Sequence, residues 1–270
     1  MNPSESVIEQ FIGSVRRSRK YRALDLPESM LRDIITAQLT AHKNTSTSLT
    51  KAREVLHGVI APYLGDPNYL ELRHQLQQIR SSDDQAIIDL SLDVLRSHAS
   101  TAERIPHLSE FYSAICEVTG TPVTIQDLAC GLHPFALPWM QLPADVSYHA
   151  YDIHTPRVDA INDYFRLFRG DKTAHVQDIL VDTPLPHTDV AFFFKEAHRF
   201  EQRQHGCLPG YFSRVNTDWL IVTLPAADLS GHHSLADRHH ALIRRSISPT
   251  WPLTELQVGN ELIFILRKNG

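Results

Sequence analysis

Apolar residues recur at helical spacing through the first hundred residues of this 270-residue chain. The clearest patterns lie at residues 30–39, 49–60 and 87–95, where apolar side chains return every three or four positions and would share one helix face. A cluster of Pro, Gly and Asp at residues 62–67 predicts a break between the second and third of these helices. The pattern therefore predicts an α-helical N-terminal part.

From about residue 120 the pattern changes to short runs rich in β-branched and aromatic residues. The segments between them, such as 156–169 and 198–214, are long enough for helices. Strands that alternate with helices predict a parallel sheet covered on both faces. The last two runs are joined by Gly259 and Asn260, which predicts an antiparallel hairpin at the end of the sheet. The seven predicted strands are 123–128, 147–153, 173–179, 189–194, 219–224, 252–258 and 260–267.

Charge is distributed unevenly along the chain. Residues 1–60 hold nine Lys or Arg and six Asp or Glu, a net charge of +3, which leaves −8 for the remainder of the overall −5. Such asymmetry is typical of a catalytic body with a basic docking arm. A solvated helical face that happens to be basic is the alternative interpretation.

Three features bear on the cellular compartment. No run of eighteen apolar residues is present, so no membrane span is predicted. Residues 1–20 include two glutamates and lack the apolar centre of a signal peptide. The three cysteines, Cys116, Cys130 and Cys207, form no CxxC pair, which favours a reducing compartment. We therefore expect a cytoplasmic protein without a membrane partner.

A ligand site is predicted where the first strand ends. In an open parallel sheet, ligands bind at the carboxyl ends of the strands. At residues 127–134, the small residues Ala129, Cys130 and Gly131 would let the backbone approach a ligand, and Pro134 could open a helix. A single glycine does not form the GxGxxG fingerprint, so a dinucleotide site of that type is not indicated. An ordinary strand-to-helix turn would show the same residues.

Polar side chains also follow the later strands. Asp152 ends the second strand, as Asp127 ends the first, and could accept hydrogen bonds from both hydroxyls of a ribose. Gln177 and Asp178 end the third strand, where an amide and a carboxylate could read the exocyclic amine of an adenine. Lys195 follows the fourth strand. Because these positions converge on one rim of the sheet, they predict one binding site.

The stretch 98–104 lies between the helical part and the sheet. Ser100 and Glu103 have the spacing of a capping box, which would satisfy two amide donors at a helix start. Arg104 is not explained by that motif. Its planar fork could pair with a carboxylate of a ligand.

Taken together, these motifs resemble the aminoglycoside-resistance 16S rRNA (guanine-N7) methyltransferases, which modify N7 of a guanine in the decoding region of small-subunit ribosomal RNA. HASTAER followed by DLACGLHP is the most specific combination. The matching pieces follow the family's order across nearly the whole chain and are SRKYRAL (18–24), LHG (56–58), HASTAER (98–104), DLACGLHP (127–134), YDIH (151–154), QDIL (177–180), FK (194–195), SG (230–231) and GNELIFILRKNG (259–270).

The resemblance implies an α/β fold of two domains. Residues 1–104 would form a helical rRNA-docking domain, and residues 105–270 a class I, Rossmann-like methyltransferase domain with a mostly parallel seven-stranded sheet. It implies S-adenosyl-L-methionine as cofactor, 16S rRNA in the assembled 30S subunit as partner, and no metal. The implied cofactor residues are Arg104, Asp127, Ala129, Cys130, Gly131, Asp152, Ile153, Gln177, Asp178, Ile179 and Lys195. The residues expected to contact RNA are Arg16, Arg17, Lys20, Lys51 and Arg53.

The expected reaction needs little chemistry from the protein. Guanine N7 carries a free lone pair, so no base has to remove a proton before attack. The enzyme's contribution would be orientation and exclusion of water. Lys195 is the one candidate for a catalytic residue.

Two segments, 196–203 and 232–240, depart from the family pattern, and in the family they border the target-base pocket. Three alternatives therefore stay open: a methyltransferase acting on another RNA base, one acting on a small molecule, and a non-catalytic RNA-binding protein that keeps the cofactor. A zinc or iron hydrolase is a further alternative, although no established spacing such as HExxH is present. The metal-ligand types concerned are His232, His233, Asp237, His239 and His240.

Overall fold

The computed structural model of the chain describes residues 3–61, 67–182, 185–228 and 233–268. Within these ranges the chain forms helices and a single seven-stranded sheet. The helices are α1 (Pro3–Arg17), α2 (Glu28–Ala41), α3 (Thr45–Ile60), α4 (Tyr69–Gln78), α5 (Asp84–Arg96), α6 (Ala99–Ala102), α7 (Leu108–Thr119), α8 (Thr155–Phe165), α9 (Ala197–Arg203), α10 (Cys207–Arg214) and α11 (Ala236–Ser246). The strands are β1 (Thr124–Leu128), β2 (Ser147–Asp152), β3 (Lys172–Val176), β4 (Thr188–Phe194), β5 (Thr217–Pro225), β6 (Leu253–Val258) and β7 (Glu261–Arg267).

The strands lie in the order β3-β2-β1-β4-β5-β7-β6. The first five are mutually parallel, whereas β7 runs antiparallel to both β5 and β6. This arrangement confirms the predicted α/β, Rossmann-like class I fold with a terminal hairpin. The chain reverses between β1 and β4 in the strand order, so the carboxyl ends of β1, β2 and β4 border the crevice where such sheets bind ligands.

Two predicted elements end differently. The third strand stops at Val176 rather than 179, because Asp178 begins a turn in which its backbone O accepts hydrogen bonds from Val181 N and Asp182 N. The predicted helix 198–214 is two helices, α9 and α10, separated by Gly206 at a φ of 75°. A left-handed residue cannot continue a right-handed helix, so the chain changes direction there.

The N-terminal helices fall into two groups by packing. Helices α1, α2 and α3 bury their apolar faces against one another in a core of their own that runs from Ile8 to Ile60. Helices α4 and α5 instead share the core of the sheet and α8, through residues such as Leu72 and Leu95. The domain boundary at residue 104 stays a prediction; the packing separates α1–α3, called here the three-helix unit, from the rest.

The three-helix unit lies against the carboxyl ends of β2 and β3. Thr155 N donates to Leu24 O at 3.1 Å, and Ser29 Oγ donates to Asp182 Oδ2 at 2.7 Å. Ile153, the residue after β2, packs against the core of the three-helix unit. None of the helices in the described ranges has the length and apolar content needed to cross a membrane.

Candidate cofactor site

A pocket of about 270 Å³ lies beyond the carboxyl ends of β1, β2 and β3. An adjoining pocket of about 40 Å³ extends toward β4 and the 98–104 segment. The two share Ala129, Glu196 and Arg199 and so form one crevice. Ten of the eleven predicted cofactor residues line this crevice. The larger pocket is lined by Ala129, Asp152, Ile153, Gln177, Asp178 and Ile179, and the smaller one by Arg104, Ala129, Cys130, Gly131 and Lys195.

The loop after β1 turns sharply at the floor of the crevice. Ala129 and Gly131 have φ values of 53° and 55°, in the left-handed region that costs little for glycine and more for alanine. Cys130 N donates to Tyr151 O at 2.9 Å, which fixes the turn to β2. A Cβ added at Gly131 would meet no atom within 4 Å, so the loop backbone faces open space. Pro134 then lies near the start of a short 3-10 helix, His133–Trp139.

Asp152 joins the end of β2 to this loop. Its Oδ1 accepts a hydrogen bond from His154 N at 2.9 Å, and its Oδ2 accepts one from Gly131 N at 3.0 Å. The buried Arg157 guanidinium donates to the same Oδ2 at 2.8 Å. The carboxylate is therefore held in one orientation on the wall of the larger pocket.

Asp127, the remaining predicted cofactor residue, lies below the crevice rather than on its wall. It is buried, and its Oδ2 accepts hydrogen bonds from Tyr148 Oη at 2.7 Å and from His133 Nδ1 at 2.8 Å. His133 Nε2 in turn faces Tyr112 Oη at 2.7 Å. These contacts anchor the loop from beneath; a direct contact between Asp127 and a cofactor stays a prediction.

An ion-pair network joins the segment after β3 to helices α9 and α2. Asp178 Oδ1 accepts a hydrogen bond from Leu180 N at 3.1 Å, and its Oδ2 lies 2.6 Å from Arg203. Arg203 also reaches Asp33 of α2 at 2.8 Å. Burial raises the pKa of Asp178, and the Arg203 guanidinium opposes that shift. Gln177 is oriented by a hydrogen bond from its Nε2 to Asp182 O at 2.6 Å.

The smaller pocket is bordered by a buried charge cluster. Arg104 directs its fork at Glu261, with Nε 3.0 Å from Oε2 and an Nη on Oε1. Lys195 donates to Ser100 O at 2.9 Å, pairs with Glu103, and lies 3.4 Å from Glu261. Burial opposes ionisation of Glu261, but the charges of Arg104 and Lys195 keep its pKa below the usual range. Both Arg104 and Glu261 are therefore charged in the folded protein.

This cluster corrects one prediction and adds one residue. The capping box at Ser100 and Glu103 is wrong: His98 caps α6 by accepting a hydrogen bond from Ser100 N, and Glu103 pairs with Lys195. Glu261 is absent from the sequence-based predictions, although it lies inside the terminal GNELIFILRKNG motif. An acidic residue at the head of a buried apolar strand was the available signal. The predicted contact of Arg104 with a ligand carboxylate stays a prediction.

The divergent segment 196–203 forms α9, a wall of both pockets. Glu196 and Arg199 border the smaller pocket as well as the larger, whereas Phe200 borders only the larger. The His-rich segment forms α11 and the residues before it. His239 Nδ1 faces Pro225 O at 2.8 Å, and His240 Nδ1 lies 2.8 Å from Glu255. His232 and the SG pair at 230–231 lie outside the described residues.

Among the residues that the structure describes, no three His, Cys, Asp or Glu side chains come together as a metal site. The histidines of α11 point instead to a backbone carbonyl and a carboxylate, as given above. The described parts of the chain therefore offer the metal-hydrolase alternative no ligand set.

The five predicted RNA-contacting residues are all exposed on the three-helix unit. Arg16 pairs with Glu28 at 2.8 Å, and Lys51 pairs with Glu54 at 2.7 Å. Surface pairs of this kind are weak and exchange readily for other anions. The unit therefore presents cations to solvent, but RNA contact at these residues stays a prediction.

Comparisons with known proteins identify the family. A family model described as ribosomal RNA methyltransferase (FmrO) matches residues 17–265. A 16S rRNA (guanine(1405)-N(7))-methyltransferase of Frankia casuarinae is 27% identical, over 98% of this chain and 95% of its own. The solved 16S rRNA methylase RmtB, 27% identical, superposes with a TM-score of 0.76 over 97% of this chain and 98% of its own. The 16S rRNA methyltransferase RmtF, solved in complex with S-adenosyl-L-homocysteine, shares the fold at 21% identity, with a TM-score of 0.75 over 100% of this chain and 99% of its own. With a match across almost the whole chain and the same fold around the crevice, this protein belongs to the ribosomal RNA methyltransferase (FmrO) family.

Proposed function

We propose that the protein transfers a methyl group from S-adenosyl-L-methionine to N7 of a guanine in the decoding region of 16S rRNA. It acts in the cytoplasm on the assembled 30S subunit, and the modification confers resistance to aminoglycosides. The observation that carries this proposal is the two-part crevice at the carboxyl ends of the parallel strands, lined by ten predicted cofactor residues. Relatives that match along the whole chain are named for this reaction.

The larger pocket fits an adenosine. Ile153, Ile179 and Phe200 give it apolar surface, and Gln177 and Asp178 add polar groups at the end of β3. A flat base needs this combination of apolar faces and a few placed acceptors. Asp152 lines the larger pocket and is hydrogen-bonded to Gly131 and Arg157 of the smaller one. A carboxylate oxygen accepts more than one hydrogen bond. Its Oδ1 can therefore take a ribose hydroxyl in addition to His154 N.

The smaller pocket fits a zwitterionic amino-acid group. The Arg104 and Lys195 cations border it, and Glu103 pairs with Lys195 beside it. A guanidinium has five N–H donors; Glu261 takes two of those on Arg104, and the Tyr112 hydroxyl is a further partner of the same group. Further donors on Arg104 are thus available for a second carboxylate. The Gly131 backbone faces open space in the same pocket, where a side chain would take up room.

When bound, S-adenosyl-L-methionine supplies an electrophilic methyl group whose carbon–sulfur bond breaks as guanine N7 forms the new carbon–nitrogen bond. N7 attacks through a free lone pair, so no residue of the chain has to accept a proton. The protein's task is to hold the base in line with the methyl group and to exclude water. A base inside an RNA helix has to be turned outward first.

Lys195 orients this site rather than acting as a base. It has a φ of 61°, unusual for a residue other than glycine, and strained backbone of this kind is concentrated at functional sites. Its ammonium group is engaged by Ser100 O and the Glu103 carboxylate. These contacts join the end of β4 to α6 beside the smaller pocket.

The test supplies intact small subunits and labelled S-adenosyl-L-methionine, then maps modified guanines by borohydride–aniline cleavage. A cut in the decoding helix, absent with the Asp152→Ala variant, would support the proposal. Label at another RNA position would keep the enzyme class and remove the resistance function. Cofactor binding without any transfer would instead favour a non-catalytic RNA-binding protein.

A further inference from the structure

We propose that helix α3 of the three-helix unit is part of the cofactor site, and that Gly58 is the residue that leaves room there for the adenine. The inference rests on the proposed function, since it concerns the same cofactor. The cofactor site would then include residues of the three-helix unit as well as residues at the ends of the sheet strands. None of the predicted cofactor residues belongs to α3.

One face of α3 lines the larger pocket. Glu54, Val55, Gly58 and Val59 all border it, at spacings of one and four that place them on one side of a helix. Across the pocket lie Ile153, Ile179 and Phe200. The pocket is thus a slot with apolar side chains from both parts of the protein, and a flat aromatic ring is the ligand shape that such a slot suits.

The three residues of the LHG motif at 56–58 lie in three different environments. Leu56 is fully buried in the core of the three-helix unit. His57 faces solvent, and its Nδ1 lies 2.9 Å from the Nζ of Lys20, a predicted RNA contact. Gly58 borders the pocket, and a Cβ built there would meet no atom within 4 Å. Three consecutive residues therefore serve the helical core, the basic surface and the cofactor pocket.

The position of α3 over the pocket is fixed by buried charge. Arg203 of α9 has only 6% of its side chain exposed and pairs with Asp178 on the pocket wall and with Asp33 of α2. Ser29 of α2 donates a hydrogen bond to Asp182 on the same side of the pocket. Helix α2 packs against α3 in the core of the three-helix unit. These contacts join α2, and through its packing also α3, to the segment after β3 and to α9.

The experiment is calorimetric titration of the full chain with S-adenosyl-L-homocysteine. Gly58→Leu should weaken binding by at least roughly 10-fold, the low end of what one misplaced methylene costs in a closed pocket. Gly58→Ala should bind within a few-fold of wild type, since its Cβ has open space. Gly210→Leu is the matched control, because Gly210 is also a helical glycine and lies outside both pockets.

Val55→Thr provides a second variant that keeps the shape of the wall and adds one hydroxyl. Binding should weaken about 4-fold, as expected for loss of one buried methylene equivalent. Thermal melting checks that each variant is folded, and Val55→Thr decides the matter if Gly58→Leu does not fold. If Gly58→Leu is folded and binds with wild-type affinity, the inference is overturned while the proposed function stands. If Gly58→Leu does not fold, wild-type affinity of Val55→Thr has the same consequence. Absence of binding by wild type would refute the proposed function and this inference with it.

Discussion

Replacing Glu261 with glutamine would leave the Arg104 guanidinium buried without its counter-charge. Both side chains have 4% of their surface exposed, and the guanidinium also lies 4.4 Å from the ring centre of Phe111. With so little of the guanidinium exposed, solvent can offset only a small part of the lost charge pairing. Breaking a buried pair by removing one partner costs about 3–5 kcal/mol. We expect Glu261→Gln to lower the free energy of unfolding by an amount in this range.

The assay is urea unfolding at neutral pH, followed by circular dichroism. Glu255→Gln is the matched control: Glu255 lies on the neighbouring strand, is 26% exposed and pairs with Arg244 at 3.1 Å. An exposed pair contributes roughly 0–1 kcal/mol, so this variant should unfold close to wild type. The double variant Arg104→Met, Glu261→Gln should recover part of the stability lost by Glu261→Gln alone, because it removes the unpaired charge.

Two results would refute this reasoning. If Glu261→Gln and Glu255→Gln lost the same small amount, the buried cluster would not depend on charge pairing. If the double variant recovered none of the stability lost by Glu261→Gln alone, the unpaired charge of Arg104 would not be the cause. A secondary readout is cofactor affinity, which should fall in Glu261→Gln because Arg104 loses the partner that orients it.

Three further predictions concern the ligand, the RNA and pH. Asp152→Ala should weaken S-adenosyl-L-methionine binding by about 1.5–3 kcal/mol in calorimetry, since a charged hydrogen-bond acceptor is lost; equal binding by the variant would sink the ribose assignment. Charge reversal of Arg17 and Arg53 should reduce affinity for small subunits and flatten its salt dependence, because fewer counterions are released, while cofactor affinity stays unchanged. Burial lowers the pKa of His198 to about 4 from its ordinary 6.5. The unfolded chain therefore binds the proton more tightly, and stability should fall as pH drops from about 6.5 toward 4. His198→Gln should flatten that slope in urea titrations at pH 7 and pH 5, and an unchanged slope would contradict the assignment.

Strands β4, β5 and β7 could be predicted from sequence because they are apolar runs that are buried over most of their length. β4 begins one residue before its predicted start and ends where predicted, and β5 begins two residues earlier and ends one residue later than predicted. The end of β3 was predicted three residues too late because Ile179 reads as the last apolar residue of the run. In the structure Asp178 starts a turn, in which its side chain accepts a hydrogen bond from Leu180 N and its backbone O accepts from Val181 N and Asp182 N.

Some residues of the candidate site could likewise be predicted from the sequence, and others could not. Residues at strand ends, such as Asp152 and Gln177, could be placed on the crevice because topology brings parallel strand ends together. The Arg104–Glu261 pair spans 157 positions of sequence, and no local pattern encodes a partner so distant. Gly58 was visible only as a piece of a motif. Its place on the pocket wall follows from how the three-helix unit packs against the sheet.

The most direct test of the central claim is a crystal structure of the protein with S-adenosyl-L-homocysteine bound. We expect the ribose hydroxyls on the carboxylate of Asp152, the adenine between Ile179 and helix α3, and the amino-acid end in the smaller pocket beside Arg104. Ligand density elsewhere on the protein, with this crevice unfilled, would contradict it.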